Sequence, residues 1–134
     1  MRYQNQMHDR YNPGTDLTCR TTTAVAGKTF AAISGPMVDN LISITTATTG
    51  GPTVGVIKYD QDPEQTVGIA RGSSRVVTVT ADGPISAGTP VVVGAAGKAK
   101  AYAAPAEGNP APTIVGYAVD TTTDGADALV SLSH

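Results

Sequence analysis

From residue 17 onward the chain is cut into short segments rich in Thr and Val, with Gly or Pro recurring every roughly 8 to 12 residues. That rhythm admits short strands and excludes long helices, because no stretch of about a dozen residues keeps the apolar period of an amphipathic helix. Ten strands are expected, over 17–25, 29–34, 41–47, 53–59, 66–70, 75–81, 89–94, 98–103, 113–119 and 128–133. Alternation such as Val77-Thr78-Val79-Thr80 reads as antiparallel sheet with one buried face. Asp82-Gly83-Pro84, Ala87-Gly88 and Asp124-Gly125 supply the positive or fixed φ that tight reversals need. The segment 104–112 holds Pro105, Pro110 and Pro112, whose missing N–H groups exclude a central strand, so it reads as a stiff surface loop. The class is all-β: a small antiparallel β-barrel or β-sandwich.

The length of 134 residues suits one domain. Residues 17–134 are read as a single β domain, and residues 1–16 as an extended N-terminal arm. The arm differs in composition, holding Arg2, Tyr3, Met7, His8, Arg10 and Tyr11 before the turn signal Asn12-Pro13-Gly14. Tyr and Arg are enriched at protein interfaces, so these six residues are the candidate contact residues. A weak internal echo also stands out. Val54 to Asp60, followed by Thr66 to Ile69, resembles Val115 to Asp120, followed by Ala128 to Val130, as if one hairpin solution occurred twice.

Composition narrows the function. Hydrophobic residues reach 40%, but with one Phe and no Trp the core is thin and stability is expected to lean on partners. Charged residues are 15% and the formal net charge is -2, with the basic residues scattered, which argues against a nucleic-acid partner. A weakly charged surface does little to oppose association. The single Cys19 excludes an intrachain disulfide and reads as a small apolar residue in a reducing compartment. The first 16 residues lack the apolar region of a signal peptide, so the mature chain is expected to begin where its gene does, and no run is long enough to span a membrane.

Catalysis needs convergent nucleophiles, bases and orienting groups. The two histidines are His8, in the arm, and His134, the last residue, positions poorly suited to preorganisation. No phosphate loop, HExxH or dinucleotide fingerprint occurs, so neither an enzyme nor a cofactor is expected. Asp60, Asp62 and Glu64, and again Asp120, Asp124 and Asp127, offer oxygen ligands, but Pro63 interrupts the first run and the spacing is not that of an EF-hand. These carboxylates are read as turn residues, with no metal site assigned.

Four ordered pieces carry a resemblance: GKTFAAISG at 27–35, GGPTVGVIKYD at 50–60, TVGIARGSSRVVTVTADGPISAGTPVVVGAAGKA at 66–99 and IVGYAVDTTTDGADALVSL at 114–132. Together they resemble the capsid decoration, or cement, proteins of tailed bacteriophages, particularly those of phages infecting actinobacteria. The resemblance implies a β-barrel or sandwich made in the host cytoplasm. It would bind the outer surface of an assembled shell of major capsid protein, commonly as a homotrimer at threefold positions, and stabilise it against internal DNA pressure. It implies no cofactor and no catalytic residue. Other readings of the same composition are a tail-tube or head-completion subunit, or a carbohydrate-binding or adhesin module using Tyr59, Tyr102 and Tyr117.

Overall fold

The computed structural model describes residues 4–134. Among the described residues ten strands form: β1 (Asp16–Thr21), β2 (Phe30–Val38), β3 (Leu41–Thr46), β4 (Gly55–Ile57), β5 (Thr66–Ala70), β6 (Val76–Thr80), β7 (Pro90–Val93), β8 (Ala99–Ala101), β9 (Ile114–Ala118) and β10 (Asp127–Leu132). The first five close into a barrel in the order β1-β3-β2-β4-β5, and the last five form a sheet in the order β6-β10-β9-β7-β8. Each strand falls within or beside one of the expected segments, and the all-β class with a small barrel is observed. Among the described residues no helix is long and apolar enough to cross a membrane.

The expectation of purely antiparallel pairing needs one correction: β1 runs parallel to β3, pairing Arg20 with Ser43 and Thr21 with Ile44. The reason is topological. A closed ring with an odd number of strands cannot alternate direction all the way round, so one neighbouring pair must run the same way, and β1–β3 is that pair. Strand β2 also runs on to Val38, through Gly35 and Pro36, where turn residues suggested an end at 34. The ladder absorbs them by register shifts on either side of Gly35. Asp39 and Asn40, at φ 51° and 61°, then close the β2–β3 hairpin.

The echo in the sequence is part of a longer repeat. Leu17 faces Ile69 and Cys19 faces Val67 in the barrel, while Val77 faces Val130 and Val79 faces Ala128 in the sheet. The later positions lie 60 residues on from the first strand and 61 on from its partner. Phe30 faces Val56 as Pro90 faces Tyr117, and Ile57 faces Ile69 as Ala118 faces Val130. The isolated bridges Val25↔Gln61 and Ile85↔Thr122 recur with the same offsets. Even the parallel seam has its counterpart, reduced in the sheet to the single bridge Ala81↔Ala99. The sheet is thus a second, less completely closed copy of the barrel, and each copy holds one of the two echoing hairpins.

The interiors repeat as well. The barrel cluster contains Leu17, Cys19, Val25, Ala31, Ile44, Ile57, Val67 and Ile69. Their equivalents Val77, Val79, Ile85, Val91, Ala99, Ala118, Ala128 and Val130 lie in or against the other cluster. That second cluster also takes in Phe30, Ala47 and Val56 from barrel strands and the adjoining turn, so the two copies share a core at their junction. A fully buried Phe contributes about 1.5–3 kcal/mol of apolar transfer free energy, and Phe30 is 0% exposed.

Cys19 lies inside the barrel at 1% exposure, and burial pushes its thiol up, against a smaller opposing effect of Arg71. A thiol that is both inaccessible and protonated reacts slowly. An aromatic disulfide reagent is therefore expected to label native protein far more slowly than urea-unfolded protein. Equal rates in the two states would contradict the buried placement.

Candidate functional site

The arm residues divide by environment. Arg2 and Tyr3 lie outside the described residues. Met7, His8 and Arg10 are exposed, Met7 at 77%. Tyr11 differs from them: it is half-buried against the barrel cluster, as Ile42 and Val54 also are, and its Oη donates to the Asn40 carbonyl at 3.2 Å. The root of the arm is fastened further along. Arg71 Nε donates to the Gly14 carbonyl at 2.6 Å and Arg75 Nη1 to the Thr15 carbonyl at 2.6 Å. Asp16 is already the first residue of β1. The exposed contact candidates of the described arm are therefore Met7, His8 and Arg10, whereas Tyr11 contacts the barrel of its own chain.

The acidic turns do structural work. Asp60 Oδ1 accepts from the Gly27 N–H, Asp124 Oδ1 from the Gly83 N–H and Asp120 Oδ1 from the Thr121 N–H, each at 2.8 Å. Asp127 pairs with Lys28 at 3.0 Å. A shallow open groove at the junction of the copies is lined by Lys28, Val56, Lys58, Ala70, Arg75 and Val77. Its cations face carboxylates: Asp16 lies 2.6 Å from Lys58 and 3.0 Å from Arg75. Hydrogen bonds from Lys58 and then Arg75 hold the Asp16 carboxyl below its ordinary range. Of these pairs, Lys28–Asp127 and Arg75–Asp16 bridge the two copies.

The surface carries apolar side chains that the strand pattern did not single out. Ile33 is 62% exposed, Met37 44% and Val38 42%, on and beside the β2–β3 hairpin; Tyr117 is 50% exposed, Val119 47% and Leu129 41%, on and beside β9 and β10. The signal was present as strands with apolar residues at successive positions, such as Ile114-Val115-Gly116-Tyr117-Ala118-Val119, where one face alone can be interior.

No family model matches the chain, and no curated protein matches it. Among solved structures it is similar to the crystal structure of head fiber gp8.5 N base in bacteriophage phi29, at a TM-score of 0.71 and 23% identity, covering 88% of this chain and 92% of that one. The two share a fold. The likeness spans nearly the whole of both chains, so the barrel and its partial copy occur together in the head-fiber base. At that identity it carries no residue correspondence for a site, and the resemblance to decoration proteins of actinobacterial phages receives no further support from it.

Proposed function

We propose that this chain is a bacteriophage virion structural protein that binds the outer surface of the assembled capsid, as trimers at threefold positions, and stabilises the shell against internal DNA pressure. The observation that carries the reading is the fold shared, over 88% of this chain, with the base of a phage head fiber. The surface agrees with it: exposed apolar side chains on two faces and charge pairs satisfied internally suit contact area rather than chemistry. The partner is the major capsid protein, and no cofactor is required.

The energetics follow from lattice binding. A stable contact buries at least about 1,000 Å², and joining three subunits multiplies modest contacts through effective concentration. A ligand that binds the assembled lattice and not its dissociated subunits stabilises assembly by mass action. Purified protein mixed with expanded, undecorated capsids is expected to co-sediment and saturate at three copies per threefold position. Absence of binding, with stacked tubes forming from the protein alone, would overturn the reading in favour of a tail subunit.

The arm has its own test. Deleting residues 1–10 removes Met7, His8 and Arg10 but keeps Tyr11 and the Gly14, Thr15 and Asp16 contacts that anchor β1. The expected result is an unchanged urea midpoint with capsid occupancy reduced at equal protein concentration. Full occupancy by the truncated chain would remove the arm from the contact surface.

A further inference from the structure

The internal repeat exposes a difference between its two copies. In the barrel a row of side chains crosses from the turn after β3 to β5: Ala47, Phe30, Val56 and Ala70, none more than 5% exposed. The Ala47 N–H donates to the Phe30 carbonyl, Phe30 faces Val56, and Val56 faces Ala70. The second copy seals this region. Phe30, Ala47 and Val56 belong to its core cluster, and the Thr80 N–H donates to the Lys28 carbonyl while the Gly50 N–H donates to the Val93 carbonyl.

The same row recurs in the second copy as Tyr102, Pro90, Tyr117 and Ser131. The Tyr102 N–H donates to the Pro90 carbonyl, Pro90 faces Tyr117, and Tyr117 faces Ser131. Among the described residues nothing seals the row. Tyr117 is 50% exposed where its equivalent Val56 is 3% exposed, and Val119 beside it is 47% exposed. The sealing surface has a counterpart too. Thr80 and Val93 of the second copy correspond to Arg20 and Ile33 of the barrel, and Ile33 is 62% exposed where Val93 is 0% exposed.

We infer that a second copy of this chain docks its barrel, through the Ile33 and Arg20 surface, onto the open Tyr117 row, repeating between chains the contact that joins the two copies within one. The occupant is fixed by the repeat: the sealed row and the open row have the same backbone frame, and the Ile33 face, equivalent to the Val93 face that seals the first, is exposed on every chain, while the Arg20 backbone is held in the β1–β3 and β1–β5 ladders and contributes only its side chain. Pairing of two unlike faces is head-to-tail, so it closes into a ring or propagates, according to the rotation it applies. The docking is argued without reference to a capsid. It rests on the proposed function only for a copy number of three, which would set six barrel-like units around one axis.

Sedimentation velocity of the purified full chain at about 100 µM, above the dissociation constants of ordinary interfaces, tests it. The wild type is expected at three times the mass of one chain. Tyr117→Asp and Ile33→Asp are each expected at one chain mass, with circular dichroism like that of the wild type and, in protein dilute enough to be dissociated, the same urea midpoint, because both positions are exposed. Val119→Asp repeats the first arm should Tyr117→Asp fold poorly. An equimolar mixture of Tyr117→Asp and Ile33→Asp retains one intact pair of faces and is expected at two chain masses. A single-chain wild type overturns the docking, even if that protein binds capsids, which would leave the capsid reading standing. Loss of association in Tyr117→Asp but not in Ile33→Asp overturns the head-to-tail pairing. Open polymers dissolved by both substitutions support the docking and overturn the copy number of three.

Discussion

Replacing Gly55 with valine is expected to destabilise the fold by about 2–6 kcal/mol and replacing Gly116 by about 1–3 kcal/mol, a large fraction of a small domain's stability. The two glycines are equivalent positions of the repeat. Gly55 faces Ala31 in the barrel as Gly116 faces Val91 in the sheet. At each a side chain would meet the carbonyl of the adjoining strand. A Cβ on Gly55 would lie 2.6 Å from the Ala70 oxygen, and one on Gly116 would lie 2.5 Å from the Ser131 oxygen. Backbone oxygens held in a ladder cannot move aside as the end of a long side chain can. Gly55 adds a φ of 146°, which disfavours any L side chain, so its substitution is the costlier of the two. Expression of both variants with urea titration checks this, and a midpoint within error of the wild type at either position would show that the strands leave room for a side chain. Gly83 is the control: a Cβ there meets nothing within 4 Å, so the expected cost of a side chain is the strain of its own turn at φ 85°.

That steric demand also explains what could be read in the chain. Val54-Gly55 and Val115-Gly116 stayed alike because the close strand approach tolerates only glycine, and this made one hairpin of the repeat visible. The other equivalences keep apolar character without identity: Cys19 with Val79, Ile44 with Ala99, Val67 with Ala128. A core position asks only for a side chain of suitable volume, so a duplicated core need not leave a duplicated sequence. Ten strand positions were legible from Thr and Val alternation bounded by Gly and Pro. The extension of β2 through Gly35-Pro36 was not, because local turn chemistry points to an end where tertiary pairing with β3 carries the strand on. The parallel seam was equally hidden, since it follows from ring closure and not from any local pattern. In the arm, nothing in composition separates Tyr11 from its neighbours, and only the fold shows that it packs against the barrel cluster and bonds the Asn40 carbonyl.

The second large effect is expected at Phe30, where alanine should cost about 3–5 kcal/mol. Its ring is 0% exposed and belongs to the cluster of the second sheet although its strand belongs to the barrel, so truncation opens a cavity at the junction of the two copies. The repeat supplies matched controls. Val56→Ala, also at the sealed row, should be destabilising for the same reason, whereas Tyr117→Ala at the equivalent open position should stay within about 0.5 kcal/mol of the wild type in protein dilute enough to be dissociated. Urea unfolding of all three variants at low concentration provides the comparison. A Phe30→Ala cost under about 1 kcal/mol would mean that the junction adapts around the missing ring. A large Tyr117→Ala cost would mean that the open row already supports the single chain. The expected asymmetry has a simple origin: one frame occurs twice, but among the described residues of a single chain the first occurrence alone has a neighbour to cover it, so the same position is core in one copy and surface in the other.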